Sequence, residues 1–82
     1  MIQVVDEQEN YLLVTDGTRF TVTERRAGRY YPLGRCSLPG VELDDTGFEE
    51  LVKEGGTYPL PVAKRRLNEV ASLWRDLFEH VR

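Results

Sequence analysis

The sequence predicts an α+β fold: an antiparallel meander of three or four strands, a short connecting helix, and a long C-terminal helix covering the sheet. Three observations predict it. Short β-prone runs separated by tight-turn residues fill the first 33 positions. Gly and Pro then punctuate positions 34–47. From Val62 to Val81 apolar residues recur with a helical period.

The strands follow in order. Ile2-Gln3-Val4-Val5 reads as a first strand with Asp6 to Asn10 as its turn. Tyr11-Leu12-Leu13-Val14-Thr15 is β-prone and runs into Asp16-Gly17. Asp-Gly between two such runs is a strong hairpin signal, because a type I′ turn needs positive φ at both central residues. The next strand, Thr18 to Thr23, alternates. Phe20 and Val22 share one face with Glu24, while Arg19, Thr21, Thr23 and Arg25 share the other. That pattern predicts a half-buried strand with one wet side. Arg26-Ala27-Gly28 reads as the next turn, and Arg29-Tyr30-Tyr31-Pro32-Leu33 as an edge strand, since Pro32 has no N–H to give a ladder.

Positions 34–47 read as a connection in which Val41 and Leu43 could form a short strand. Thr46-Gly47-Phe48-Glu49 fits a capping box, with Thr46 as N-cap and Glu49 at the third helical position. The helix it starts would run to about Glu54 and end at Gly55-Gly56. Pro59 and Pro61 precede the long helix. In that helix Ala63, Leu67, Val70, Trp74, Leu77 and Val81 fall at spacings of 4, 3, 4, 3 and 4, and Ala71, Leu73 and Phe78 widen the stripe. The stripe is expected to pack on the sheet. Leu73 lies off its main seam, and surplus apolar surface of this kind points to a homodimer.

Length and composition set the class. Eighty-two residues make one domain, 1–82, with a small core. Apolar content of 40% and charge of 30% suit a globular chain rather than a disordered one. No run approaches the ~18 apolar residues that span a bilayer. The start, Met1 to Glu7, has neither the basic nor the apolar part of a signal peptide. The expectation is a cytoplasmic protein without membrane contact. One cysteine, Cys36, excludes an internal disulfide, and one Cys with one His, His80, excludes the usual zinc ligand sets. The acids Glu42, Asp44, Asp45, Glu49, Glu50 and Glu54 do not match a calcium loop. No metal and no cofactor is expected.

Charge is laid out in blocks, and the blocks supply the candidate sites. Positions 1–18 carry four acids and no base; 19–35 carry five arginines and Glu24; 36–54 carry six acids and Lys53; 55–82 carry five bases and three acids. The second block is basic in a chain of net charge −3. Within it Arg25, Arg26 and Arg29 surround a tight turn beside Tyr30 and Tyr31. Arginine forks match carboxylates and phosphates, and tyrosine offers a stacking face or an interface anchor. Adjacent tyrosines on a strand face opposite sides, which divides them between core and solvent. The second candidate is Lys64-Arg65-Arg66, placed in the first turn of the long helix, where the dipole disfavours cations and exposed N–H groups favour anions. Arg65 can pair with Glu69 four residues on. Both clusters also read simply as solvated charge. Cys36 beside Arg35 could carry a lowered pKa, but the only histidine lies at the far end of the helix, so no oriented base is in prospect. The functional expectation is therefore a non-enzymatic protein-interaction module that binds an acidic partner through Arg25, Arg26, Arg29, Tyr30 and Tyr31, with Lys64, Arg65 and Arg66 as a second half. Nucleic-acid binding through the same residues is the alternative.

Overall fold

The computed structural model describes residues 1–33 and 39–80, with side chains through Leu77. The readings of Gly34, Arg35, Cys36, Val81 and the Phe78 and His80 side chains lie outside the described residues. Four strands, β1 (Gln3–Gln8), β2 (Tyr11–Thr15), β3 (Phe20–Arg26) and β4 (Arg29–Pro32), precede two helices, α1 (Asp45–Gly55) and α2 (Leu60–His80). The strands form one antiparallel sheet in sequence order. The fold is α+β, as the sequence predicts.

At its centre, over β2 and β3, the sheet is covered on both faces, and this corrects the expectation that β3 has a wet side. On one face Leu13 and Val22 meet Ala63 and Leu67 of α2, with Tyr11, Phe20, Tyr58, Leu60 and Val70 around them. On the other, Leu12 and Val14 meet Phe48 of α1, with Ile2, Tyr30, Leu43 and Val52 around them. Thr21 and Thr23 point into the α1 side and are buried. Their hydroxyls are satisfied there: Thr21 Oγ1 donates to the Gly56 carbonyl at 2.9 Å and Thr23 Oγ1 to the Tyr31 carbonyl at 2.7 Å. A threonine with its one polar atom bonded packs like valine, so alternation of polar type did not mean alternation of exposure.

Turn chemistry also departs from expectation. Asp16-Gly17 is not a type I′ turn; a four-residue connection, Asp16 to Arg19, joins β2 to β3, and within it only Gly17 has positive φ. Side chains impose this shape. Asp16 Oδ1 accepts the N–H groups of Thr18 and Arg19, at 3.0 and 2.8 Å. Thr15 Oγ1 accepts the Gly17 N–H at 2.9 Å and donates to the Arg19 carbonyl at 2.7 Å. These local bonds compete successfully with a tight hairpin. The turn with both φ positive is Ala27-Gly28, at 50° and 78°. Asp6 to Gln8 belong to β1 and not to its turn, because a bulge between Val4 and Asp6 restores pairing with β2 through Gln8↔Tyr11. Val41 makes an isolated bridge to Tyr30 instead of a strand with Leu43.

The helix starts are shifted. Asp44, not Thr46, caps α1: its backbone is extended and its Oδ1 accepts the Gly47 N–H at 2.7 Å. Aspartate is at least as good a cap as threonine, and the earlier start sets Phe48 and Leu51 facing the sheet. The helix ends at Gly55-Gly56 as expected. The long helix α2 begins at Leu60, with the Ala63 N–H bonded to the Pro59 carbonyl at 2.8 Å. Lys64 therefore opens its second turn rather than lying in the first.

Length decides what α2 buries. Its 21 residues span about 31 Å, whereas the five residues of β2 span about 17 Å. Ala63, Leu67 and Ala71 are buried, but Leu73 and Leu77 stay 62% and 67% exposed. Leu73 is off the seam as the sequence implied. Leu77 was expected in the seam and is exposed because the helix outruns the sheet.

Candidate functional site

The β3–β4 hairpin carries the first set of candidate residues. Ala27-Gly28 closes it in two residues, and the register pairs Arg26 with Arg29, Arg25 with Tyr30 and Glu24 with Tyr31. Register splits the tyrosines. Tyr30 faces the α1 side and packs against the cluster formed by Leu12, Val14 and Phe48. Tyr31 faces the α2 side with Glu24, and its ring lies against Gly40. A Cβ at Gly40 would come within 2.9 Å of Tyr31 Cζ and 2.5 Å of Arg29 Cβ, so that close approach requires glycine. Both tyrosines are half-buried.

Each turn arginine meets an acceptor of its own chain. Arg25 reaches Glu7 on β1 at 2.7 Å. Arg26 reaches Glu24 at 2.6 Å. Arg29 donates Nε to the Gly40 carbonyl at 3.0 Å and Nη1 to Glu42 at 3.2 Å. Like charges placed directly across a sheet repel. Here Arg26 and Arg29 face each other, and Glu24 and Glu42 offset that repulsion. The hairpin arginines thus fasten β3 and β4 to β1 and to the segment before α1.

The second set is placed differently. Arg66 lies 3.7 Å from Glu69, so the i,i+3 partner takes the place of the expected Arg65–Glu69 pair. Lys64 and Arg65 are exposed and, among the described residues, form no ion pair. The two clusters do not merge. Tyr58 bridges Phe20, so α2 starts beside the first residue of β3. The helix then rises to the opposite end of the sheet, where Asn68 bonds Gln8 and Arg75 reaches Glu9 at 3.0 Å. The hairpin turn is at that opposite end, joined to the β1–β2 turn by the Arg25 N–H to the Asn10 carbonyl at 2.7 Å. Lys64 and Arg65 sit near the start, about one turn into the helix.

The structure adds a polar knot that the sequence reading divided between separate elements. Arg19 lies in the loop before β3, not in the strand. Its guanidinium bonds both Asp16, at 2.8 Å, and Glu49 of α1, and sits 5.3 Å above the Phe48 ring. Hydrogen bonds from the Arg19 N–H, the Thr18 N–H and the Arg19 side chain hold Asp16 far below the usual carboxylate range. Bonding to Arg19 also lowers Glu49. Glu49 first and Asp16 second raise Arg19. The signal present in the sequence was Asp16-Gly17-Thr18-Arg19, an aspartate able to cap its own turn. The Glu49 half, thirty residues away, had none.

The acidic block is dispersed in the same structural way. Glu42 holds Arg29, Asp44 caps α1, Asp45 lies 3.9 Å from the Met1 amino group, and Glu49 holds Arg19. Among the described residues no three His, Cys, Asp or Glu side chains gather as a metal site, and no helix is long and apolar enough to cross a membrane. What stays open to a ligand on α2 is an exposed apolar pair, Leu73 and Leu77, about 12 and 18 Å along the helix from Arg65. Set against known proteins, the chain matches no family model, no curated protein and no solved structure.

Proposed function

We propose that this chain is a non-enzymatic protein-interaction module, cytoplasmic in setting, that docks an acidic partner along the outer flank of α2. One observation carries the reading. Leu73 and Leu77 are exposed on the same helix as Arg65, a cation without an ion pair among the described residues. At 100° per residue Leu73, Leu77 and Arg66 share one side of α2, Arg65 lies about 80° round from Leu73, and Lys64 lies on the opposite side. An amphipathic helix with a leucine face and glutamates at one end would bury the leucines and pair Arg65. The hairpin residues Arg25, Arg26, Arg29, Tyr30 and Tyr31 then serve this surface indirectly, by stabilising the sheet under it.

The test uses a labelled amphipathic peptide with that Leu/Glu pattern, titrated by fluorescence anisotropy at low and high salt. Binding should be saturable and should weaken about tenfold both in Leu73→Ser/Leu77→Ser and in Arg65→Glu/Arg66→Glu. Arg25→Ala should change it less than about twofold. Equal loss in Arg25→Ala, Arg26→Ala and Arg29→Ala would return recognition to the hairpin. A single-stranded oligonucleotide that binds in a Lys64- and Arg65-dependent, steeply salt-dependent way would replace the reading with nucleic-acid binding. A dimer lost in the Leu73/Leu77 variant would replace the acidic partner with a second copy.

A further inference from the structure

The sheet has two edges, and the chain treats them differently. The outer edge of β4 is bridged by Val41, through the Tyr30 N–H to the Val41 carbonyl at 3.0 Å and the Val41 N–H to the Tyr30 carbonyl at 2.9 Å. Among the described residues no segment pairs with the outer edge of β1. That edge is six residues long, enough for a partner strand. It also carries apolar surface: Val4 and Val5 are 47% and 43% exposed. Val4 pairs with Val14, so it continues the apolar floor formed by Leu12 and Val14 on the α1 side. The shorter α1 packs on β3 and β4 and does not reach β1.

Charge selects the occupant. β1 and its turn hold Asp6, Glu7 and Glu9 with no base. Arg25 and Arg75, from other elements, meet Glu7 and Glu9. Asp6 has no ion pair among the described residues; its Oδ1 accepts only the next N–H, that of Glu7, at 2.8 Å. A second copy paired through this edge would add a further Asp6 without an ion pair and no base to meet it, which like-charge repulsion disfavours. A strand alternating lysine or arginine with β-branched residues suffers no such penalty. It would cover Val4, place a cation near Asp6 and take up the free backbone groups. We infer that β1 is a docking edge for a basic, extended segment of a partner protein, which adds to the sheet as a fifth strand.

Three labelled peptides test this on the full chain: one alternating valine and lysine, one alternating valine and glutamate, and the lysine peptide N-methylated at alternate residues. Anisotropy gives affinity, and amide NMR shifts give location. The lysine peptide should bind with shifts centred on Gln3–Gln8. Affinity should fall about tenfold on N-methylation, and again in Asp6→Lys, whose fold is checked by circular dichroism. Three results overturn the inference: no binding at low salt, binding indifferent to N-methylation, or shifts centred on another element. A concentration-dependent dimer dissolved by Val4→Lys would also overturn it, by putting a second copy on the edge.

Discussion

Leu67 and Leu73 stand on one helix, and replacing each with alanine separates a core contact from an open surface. Leu67 is fully buried and Leu73 is 62% exposed. Truncating a fully buried leucine costs about 3–5 kcal/mol, combining lost transfer energy with a residual cavity. Leu73 keeps only about a third of its surface from water. Its truncation forfeits about a third of the ~2 kcal/mol that full burial contributes, or about 0.7 kcal/mol. Helix propensity adds little, because leucine and alanine are both good formers. A domain of this length has roughly 4–12 kcal/mol in total, so Leu67→Ala removes a large share of it. Urea titration should therefore show a midpoint loss several times larger for Leu67→Ala than for Leu73→Ala, with equal m-values. In thermal melts the difference should exceed about 10 °C. Both experiments should give the same stability at any protein concentration. If Leu73→Ala costs as much as Leu67→Ala, and wild-type stability rises with concentration, Leu73 is buried by a second chain and the open flank of α2 does not exist in solution.

Other perturbations follow from particular contacts. Asp44→Ala should cost about 1 kcal/mol by removing the α1 cap, while Thr46→Ala should stay within about 0.5 kcal/mol; denaturant titration separates the two starts. Ala27→Asn should stabilise by about 0.5–1 kcal/mol, because asparagine tolerates the positive φ of that turn better than alanine does. Asp16 and Glu49 have folded-state values depressed below their ordinary 3.8 and 4.5. Their contribution is thus fully present above about pH 5 and lost as pH falls through 4 toward the folded values. Asp16→Asn should flatten that acid limb of the stability curve, and an unchanged slope would dismiss the Arg19 knot as a stabilising element.

The parts legible in the sequence are those governed by short-range rules. Tyr11 to Thr15 declared a strand by its residue types, Gly55-Gly56 declared a helix end, and the spacing of Ala63, Leu67 and Val70 declared a helix face. The parts that were not legible depend on partners far along the chain. Whether Thr21 and Thr23 face water depends on α1 arriving some 25 residues later, and on Gly56 and Tyr31 lending carbonyls. Asp16-Gly17 does close a hairpin, but it looked like a two-residue type I′ turn because the rule weighs backbone φ alone. The Asp16 and Thr15 side chains, by bonding the Gly17, Thr18 and Arg19 N–H groups, chose a wider loop. Leu77 matched the helical period perfectly well; what placed it in solvent was a sheet too short to reach it. For the candidate site, the hairpin cluster was found as a cluster, but its acceptors Glu7, Gly40 and Glu42 lie 11 to 18 residues away and carry no local signature.

Those acceptors change where recognition is expected. An acidic partner approaching the hairpin must displace Glu7 from Arg25, Glu24 from Arg26 or Glu42 from Arg29. That trades one half-exposed carboxylate contact for another, and such surface pairs are individually worth about 0–1 kcal/mol, so the exchange yields almost nothing. Binding there would also release the fastening of β1 and of the segment before α1, a cost with no counterpart in the partner. Arg65 poses no such exchange, since among the described residues no carboxylate has to leave it. It also precedes leucines whose burial contributes about 1–2 kcal/mol each on docking, which exceeds anything the hairpin ion pairs could add. Local arginine density is therefore a poor guide to a site in this chain. The better guide is a cation without an ion pair among the described residues, on the same helix as exposed apolar surface, and Arg65 with Leu73 and Leu77 supplies both.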